Sequence, residues 1–266
     1  MEAIMVKINP TGSKEFEEHG EYYMDGYLKS NLEALKHSVV RLDYDGFIVM
    51  AGREGHGKST FAFQIAKFLD PSFCLERVVF SLEQFKYAVD NAEKFQCIVF
   101  DETMGYLSSR GSMSKFNRAL VKIFSEMRSK NLFVILNITS FFELDRYPAV
   151  HRSNGLIYVY KRSFFGSYDY NTKRELYFKG KKMYSYVVSP NFVGKFTKYF
   201  PLDKVAYENK KQESITEWQT NKDRDKIILE QRNKLIMECF NNKLLTTKQI
   251  SDVIGLSVMQ IGRILT

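Results

Sequence analysis

Short apolar runs alternate with amphipathic segments between residues 45 and 160. Apolar runs, several of them continuous, predict five strands, at residues 47–51, 75–80, 96–100, 132–136 and 155–160. The segments between them predict helices at residues 59–69, 81–93 and 114–129, the last with apolar residues at helical spacing. Strands that alternate with helices indicate a parallel sheet covered on both faces. We therefore predict an α/β fold for this part of the chain.

The chain on either side of this core has a different texture. Residues 1–37 are polar, with a predicted helix at residues 23–37, and residues 161–206 mix aromatic and basic residues. In the latter, the segments 175–178 and 183–188 flank Lys179-Gly180-Lys181-Lys182 and predict a β-hairpin. Polar residues 207–225 predict a linker, and residues 226–266 a small all-α domain. The predicted domains are therefore 1–37, 38–160, 161–206, 207–225 and 226–266.

The loop after the first core strand, residues 52–60, reads G-R-E-G-H-G-K-S-T and fits the pattern G-x-x-x-x-G-K-[ST]. Glycines let successive backbone N–H groups point at phosphate oxygens, and the helix that follows presents its positive dipole end. Lys58 would reach the β- and γ-phosphates, and the Ser59 hydroxyl would bind Mg²⁺. The strand before the loop and the helix after it favour a true P-loop over a chance match. The predicted binding residues for ATP and Mg²⁺ are Gly52, Gly55, Gly57, Lys58, Ser59 and Thr60.

A second motif ends an apolar strand on two carboxylates: residues 97–102 read C-I-V-F-D-E. Asp101 would hold the metal through its water shell, and Glu102 would polarise the attacking water. An ordinary acidic pair at a strand end is the alternative. Because a water-activating glutamate serves hydrolysis, the pair favours an ATP hydrolase over a small-molecule kinase.

The strand between the P-loop and the acidic motif implies the ASCE (RecA-like) type of P-loop ATPase. Residues 128–140, R-S-K-N-L-F-V-I-L-N-I-T-S, resemble the segment of HerA–FtsK-type DNA translocases in which an arginine precedes the fourth strand. That family has Thr-Gln where this chain has Thr139-Ser140, which is more similar to viral DNA-packaging ATPases and zonular-occludens-toxin-like phage proteins. The resemblance covers residues 45–160. It implies that Thr139, or Asn137, senses the γ-phosphate; a polar strand end is the alternative.

An arginine that reaches the nucleotide of a neighbouring subunit would make hydrolysis depend on assembly. Three arginines lie in suitable places: Arg110, Arg128 and Arg152. We favour Arg152, in the loop before the fifth strand, as this catalytic arginine finger. The alternative for each of these arginines is an ordinary surface salt bridge, which is the more common role of a single arginine.

The net charge of +8 is concentrated in one block. Residues 161–211 contain 12 Lys/Arg and 4 Asp/Glu, whereas residues 1–160 contain 19 and 20, and residues 212–266 contain 8 and 7. Lys179, Lys181 and Lys182 beside tyrosines suit contacts with a nucleic-acid backbone, with aromatic faces on which bases stack. A hairpin carrying them would line the pore of a ring. A hairpin that only extends the sheet is the alternative.

The last residues, 245–265, have the spacing of a helix-turn-helix, with Thr246 and Ser257 as caps and Gly255 in the turn. They are similar to the T-x-x-x-I-A-x-x-x-G-[LV]-S pattern of bacterial and archaeal DNA-binding domains, with Ser251 where alanine is usual. That resemblance implies that DNA would be contacted by Ser257, Val258, Gln260 and Arg263. A helical hairpin for protein contact is the alternative.

Other features restrict the class of protein. The three cysteines are far apart and predict neither disulfides nor a zinc site, which favours the cytoplasm. No apolar run is long enough to span a bilayer, and the N-terminus lacks a secretion signal. The sequence thus predicts a Mg²⁺-dependent ATPase that acts on DNA. We expect the DNA to be double-stranded and the chain to assemble into a ring, most simply a hexamer. Translocation or genome packaging is expected, with a capsid or replication partner; a nucleotide-switched DNA-binding regulator or a helicase loader is the alternative.

Overall fold

A seven-stranded sheet forms the centre of the larger of two compact units. The computed structural model describes residues 4–7, 21–101, 110–242 and 244–265, and its units are Met1–Gln212 and Glu213–Thr266. The described strands are β1 (Ile4–Lys7), β2 (Glu21–Met24), β3 (Gly46–Gly52), β4 (Val78–Val79), β5 (Cys97–Asp101), β6 (Phe133–Ile138), β7 (Gly155–Lys161), β8 (Phe164–Tyr168) and β9 (Phe192–Lys195). The described helices are α1 (Gly26–Arg41), α2 (Lys58–Leu69), α3 (Leu82–Asn91), α4 (Arg110–Ser129), α5 (Tyr170–Gly180), α6 (Lys204–Asn241), α7 (Thr247–Ile254) and α8 (Val258–Leu265).

The strand order of the large sheet is β4-β5-β6-β3-β7-β8-β9, and β1 pairs with β2 separately. The five strands from β4 to β7 in this order are parallel, and β8 and β9 extend the sheet in antiparallel pairing. β6 lies between the P-loop strand β3 and the strand β5 that ends on Asp101. The predicted parallel α/β core is therefore confirmed, and it is the arrangement expected of a P-loop NTPase core.

Burial on both faces of the sheet explains the continuous apolar runs. Along β3, Phe47 and Val49 belong to one hydrophobic cluster, while Ile48 and Met50 belong to the other. This alternation follows from the two-residue period of a strand. α3 and α4 contribute to the first cluster, and α1 and α2 to the second. Both layers therefore hold β3 in place and fix the direction of the loop that follows it.

The strand predicted at residues 75–80 is much shorter than expected. Residues Leu75–Arg77 form a 3-10 turn, and only Val78–Val79 pair with β5. The guanidinium of Arg77 lies 3.2 Å from the carboxylate of Asp70, which is buried. This ion pair holds the chain in a turn where the apolar pattern alone predicts a strand.

The β-hairpin predicted at residues 175–188 is wrong. Residues 170–180 form α5, whose first turn is capped by Asp169 accepting a hydrogen bond from the N–H of Thr172 at 2.9 Å. Lys173, Leu176, Tyr177 and Gly180 are its buried residues, a spacing of three to four that belongs to a helix. The antiparallel extension of the sheet is formed by β8 and β9 instead.

The linker predicted at residues 207–225 is also helical, because these residues lie within α6. Lysine, glutamate and glutamine are strong helix formers even where no apolar face is present. Farther along α6, Lys226 and Lys234 pair with glutamates one turn later, Glu230 and Glu238, at 3.8 and 4.0 Å. The boundary between the two units, after Gln212, falls inside this helix. The other predicted domain boundaries stay predictions.

The second unit has a small core of its own. Ile236 of α6, Ile250 of α7 and Ile261 of α8 are buried together. Thr246 and Gln249 form a capping box at the start of α7, and Gly255 ends that helix with a φ of 74°. These caps are those that the sequence predicts, whereas the DNA-binding role of the two helices stays a prediction. Among the described helices of either unit, none has an apolar stretch that could cross a bilayer.

A buried lysine on α5 departs from the surface role that its basic neighbours suggest. Lys173 has no exposed surface, and its ammonium donates hydrogen bonds to the backbone carbonyl and, at 2.6 Å, to the hydroxyl of Ser153. The ring of Tyr170 lies 5.4 Å from the ammonium. Burial lowers the pKa of Lys173 to about 7, and the nearby Asp169 only partly offsets this.

This pKa predicts a stability that rises with pH. Between about pH 7 and the ordinary lysine pKa of ~10.4, the unfolded chain holds a proton on Lys173 that the folded chain does not. The free energy of unfolding should therefore increase by up to ~1.4 kcal/mol per pH unit in this window relative to Lys173→Met. Urea unfolding at pH 7, 8 and 9 measures it, with Lys179→Met on an exposed position of α5 as the control. Equal slopes for wild type and Lys173→Met would contradict the prediction.

Candidate nucleotide-binding site

The loop between β3 and α2 has the geometry of a phosphate-binding loop. Gly52 has a φ of 148°, and a Cβ at this position would lie 2.4 Å from the carbonyl oxygen of Val159. Gly57 caps α2 in the left-handed region, with a φ of 92°. Because neither position accommodates a side chain, the glycines of the motif are required by the backbone itself. The N–H groups at the start of α2 are thus left available for an anion.

Lys58 bridges the two ends of this loop. Its ammonium donates hydrogen bonds to the carbonyl oxygens of Gly52 at 2.6 Å and of Arg53 at 3.2 Å. The turn after β7 also supports the loop, since the guanidinium of Arg162 donates to the carbonyl of Gly55 at 3.2 and 3.3 Å. His56 contacts the carbonyl of Val159 through Nδ1 at 3.2 Å.

Asp101 is the centre of a hydrogen-bond network at the carboxyl ends of the strands. Its Oδ1 accepts hydrogen bonds from the Ser59 hydroxyl and from the Asn137 amide, both at 3.1 Å. Asp101 and Asn137 are direct partners in the pairing of β5 with β6, and Asn137 also pairs with Met50 of β3. Parallel strands bring these residues to one edge, which is where α/β sheets bind their ligands. The sequence predicts Ser59 and Asp101 as metal-binding residues, and the structure brings them together.

The other oxygen of Asp101 is held by a residue that sequence reasoning missed. The hydroxyl of Tyr207, in the first turns of α6, donates to Oδ2 at 2.6 Å. Burial, and secondarily the Asp101 carboxylate, raise the pKa of Tyr207 far above its usual value. The phenol is therefore a neutral donor. No sequence spacing relates residue 207 to residue 101, so no local pattern could have identified it.

The proposed sensor residues differ in how they meet this network. Asn137 is fully buried and bonded to Asp101, whereas Thr139 follows the end of β6 and is exposed. Thr60, in the first turn of α2, is half-buried. Glu102 lies outside the described residues, as does the side chain of Arg110. Asn137 is thus part of the Asp101 network, and the sensor role of either residue stays a prediction.

Arg152, predicted as an arginine finger, makes structural contacts within the chain, and the finger role stays a prediction. Its guanidinium forms an ion pair with Asp45, donates to the carbonyl of Phe124 at 3.4 Å and lies 4.8 Å from the Phe124 ring. Asp45 precedes β3 and Arg152 precedes β7, so the pair lies at the amino ends of these strands, away from the P-loop of the same chain. The guanidinium, which an arginine finger would extend toward a neighbouring subunit, is bound within this chain to Asp45 and Phe124.

The predicted basic surface is smaller than the sequence suggests. Lys181 donates hydrogen bonds to the Leu144 carbonyl at 3.0 Å and to the Tyr177 hydroxyl, and burial lowers its pKa. Lys179 pairs with Glu175 at 2.5 Å. Lys182 is exposed. The cationic surface available to a large anion therefore excludes Lys173 and most of Lys181.

Two of the four residues predicted to contact DNA in the second unit form a helix cap. The Ser257 N–H donates to Oε1 of Gln260 at 2.9 Å, and the Gln260 N–H donates to Oγ of Ser257 at 3.3 Å. Arg263 is exposed, with its guanidinium 3.9 Å from the sulfur of Met259. Val258 is also exposed. All four side chains are exposed, and a contact of any of them with DNA stays a prediction.

The residues of the site fit a magnesium nucleotide. Hydroxyl and carboxylate oxygens are the ligands that Mg²⁺ prefers, and Ser59 and Asp101 supply one of each. Within the described part of the chain, Oδ1 of Asn137 is a buried atom without a hydrogen-bond partner. A buried acceptor of this kind commonly serves a water or ligand. Described residues include no cluster of three or more His, Cys, Asp or Glu that would hold a metal in another way.

Comparison with known families agrees with this geometry. Residues 31–143 match the family model of Novel STAND NTPase 3. The matched segment runs from α1 to just beyond β6 and includes the P-loop, Asp101 and Asn137; it excludes Tyr207 and Arg162. No curated protein matches the chain. The similarity to Novel STAND NTPase 3 supports a P-loop nucleotide hydrolase.

Proposed function

We propose that the chain is a Mg²⁺-dependent ATPase that acts on DNA and assembles into a ring, most simply a hexamer. The observation that carries this proposal is the joint contact of Ser59, Asp101 and Asn137 at the carboxyl ends of β3, β5 and β6, next to the P-loop. A P-loop kinase also needs a placed Mg²⁺, so the preference for hydrolysis comes from Glu102, the residue after Asp101. The buried carboxylate shared by a P-loop serine and a strand-end amide suits a metal that must be placed for hydrolysis.

Each group in this site has a chemical role. The ammonium of Lys58 and the N–H groups of the loop would bind the β- and γ-phosphates, and Ser59 and Asp101 would hold Mg²⁺. The ion supplies positive charge that neutralises the phosphate oxygens during transfer. Glu102, the residue after Asp101, would orient and polarise the attacking water. Asn137 would report the γ-phosphate to Asp101, because its amide bonds that carboxylate.

The DNA part of the proposal rests on charge and on the resemblance to HerA–FtsK-type translocases and DNA-packaging ATPases. Residues 161–211 hold 12 Lys/Arg against 4 Asp/Glu. Their exposed members include Lys182, and the exposed aromatic side chains of Tyr160, Tyr170 and Phe178 lie in or next to this block. Exposed cations with aromatic faces favour contact with a nucleic-acid backbone and unstacked bases. The resemblance to these translocases and packaging ATPases also implies assembly into a ring, which further supports the motor role.

A nucleotide-switched DNA-binding regulator is the second candidate, and α6 is the observation that favours it. This helix contacts Asp101 through Tyr207, and its later residue Ile236 belongs to the core of the second unit. The same helix therefore takes part in the metal-site network and in the unit that resembles a DNA-binding domain. Such a connection suits a nucleotide-dependent switch.

Turnover and movement on DNA separate the two candidates. For a motor, duplex DNA should raise steady-state ATP turnover several-fold, and the chain should displace a third strand from a triplex only when ATP is present. Phosphate release and a fluorescent triplex reporter measure these, and Arg263→Ala with Lys182→Ala tests which unit carries the DNA contact. Tight binding to one duplex sequence with unchanged turnover would favour the regulator. Turnover without any DNA binding would contradict both.

A further inference from the structure

The start of α6 is fixed against the nucleotide-binding core at two points. Asp203 caps the helix by accepting hydrogen bonds from the N–H groups of Val205 and Ala206 at 2.9 and 3.0 Å. One turn later, the ammonium of Lys210 donates to the carbonyls of Leu75 and Val78 at 2.8 and 2.7 Å. Tyr207 lies between these anchors. The backbone on both sides of Tyr207 is therefore held against the core.

Packing places the Tyr207 ring against the P-loop helix. The side chain is 3% exposed, and its ring centroid lies 5.3 Å from that of Phe63 on α2 and 5.4 Å from that of Phe200. Gln64, the next residue of α2, donates to the carbonyls of Thr197 and Tyr199 at 3.0 and 2.7 Å. The segment that leads into α6 thus follows the P-loop helix, and the phenol hydroxyl is directed at Asp101.

The two oxygens of Asp101 have different partners. Oδ1 is shared by Ser59 and Asn137, whereas Oδ2 accepts from Tyr207. A carboxylate held at one oxygen cannot rotate freely, so the other oxygen keeps its direction toward Ser59. Hydrogen bonds from outside the ligand set are a general means of orienting metal-binding side chains.

We propose that Tyr207 is a positioning residue of the Mg²⁺ site: its hydroxyl fixes Oδ2 of Asp101 so that Oδ1 faces the metal, and the start of α6 responds to the bound nucleotide through this bond. This inference rests on the proposed nucleotide and Mg²⁺ binding. It adds to it a residue that lies outside the segment similar to Novel STAND NTPase 3. It also identifies the start of α6 as the element that responds to nucleotide binding.

Tyr207→Phe tests this role, because it removes the hydroxyl and keeps the ring among Phe63 and Phe200. The concentration of Mg²⁺ that gives half-maximal binding of a fluorescent ATP analogue should rise by about 10-fold, as is typical when an outer partner of a metal ligand is lost. Binding of the same analogue in EDTA should not change. Hydrogen exchange of the amides of residues 204–210 should slow on addition of Mg²⁺ and ATP in the wild type, and not in the variant.

Tyr22→Phe is the matched control. The buried Tyr22 hydroxyl donates to the Gln64 carbonyl at 2.5 Å within the same hydrophobic cluster, so its removal costs a similar bond without touching Asp101. This control should keep the wild-type Mg²⁺ dependence. Wild-type Mg²⁺ dependence in Tyr207→Phe would overturn the role of Tyr207 alone. A wild-type chain that binds no nucleotide with Mg²⁺ would overturn the proposed function and this role together.

Discussion

Replacing Lys58 with alanine is expected to lower ATP turnover by about 100- to 1,000-fold while the chain stays folded. The ammonium is the cation that bridges the ends of the P-loop, and a single positioned charge at a transferring group is commonly worth that factor. Its hydrogen bond to Arg53 goes to an exposed residue, so water can replace it in the variant, and the loss of the bond to the buried Gly52 should cost only about 1 kcal/mol. Steady-state phosphate release measures turnover, and thermal unfolding measures the fold.

Lys86→Ala is the control for this variant. Lys86 is an exposed lysine on α3, outside the P-loop and the Asp101 network. Its replacement removes one positive charge, as Lys58→Ala does, but leaves the contacts of the P-loop in place. It should keep wild-type turnover and stability. Wild-type turnover in Lys58→Ala would contradict the central claim that the loop binds the reacting phosphates. A fall in turnover matched by an equal fall in folded protein would contradict a direct role of the charge.

The core could be predicted from the sequence because burial leaves a pattern in each strand. A strand covered on both faces needs apolar residues along its length, as β3 has and as β6 has except at Asn137, and a P-loop needs its glycines at fixed places. Asp101 was predictable for the same reason, since it ends a strand of that kind. These features depend on residues that are close together in the chain.

The region after β7 was mispredicted because its local pattern is ambiguous. Lys179-Gly180-Lys181-Lys182 reads as a turn, whereas Gly180 in fact ends α5, where a Cβ would lie 2.2 Å from the carbonyl oxygen of Ser185. The glycine is thus required by a contact between backbones rather than by a hairpin. The cap at Asp169 was the local signal for the helix. Aromatic residues that fit either a strand or a helix concealed it.

The least predictable part of the site is its supporting network. Arg162 reaches the P-loop across 107 positions of sequence, and Tyr207 reaches Asp101 across 106. Such contacts arise from the order of strands and from the path of the chain over α2. No periodicity or spacing within one element encodes them. The contact of Asn137 with Asp101 likewise depends on β5 and β6 being neighbours in the sheet.

The loss of Arg152 is expected to destabilise the chain strongly. Arg152→Met leaves the carboxylate of Asp45, whose side chain is 7% exposed, without its cationic partner. Breaking a buried ion pair by removing one member costs about 3–5 kcal/mol, whereas replacing both members costs much less. The double variant Asp45→Asn with Arg152→Met should therefore recover part of the loss. Urea unfolding of the two single variants and the double variant measures this coupling.

Turnover per folded molecule then distinguishes a structural arginine from an arginine finger. If Arg152 only holds Asp45, the folded fraction of Arg152→Met should hydrolyse ATP at the wild-type rate. A finger would lower that rate by about 10³- to 10⁵-fold, and would do so in the double variant as well. Arg128→Ala, at an exposed position near the end of α4, is the matched test of the other described candidate. Wild-type stability combined with lost turnover in Arg152→Met would mean that the ion pair with Asp45 opens on assembly, and would restore the finger role.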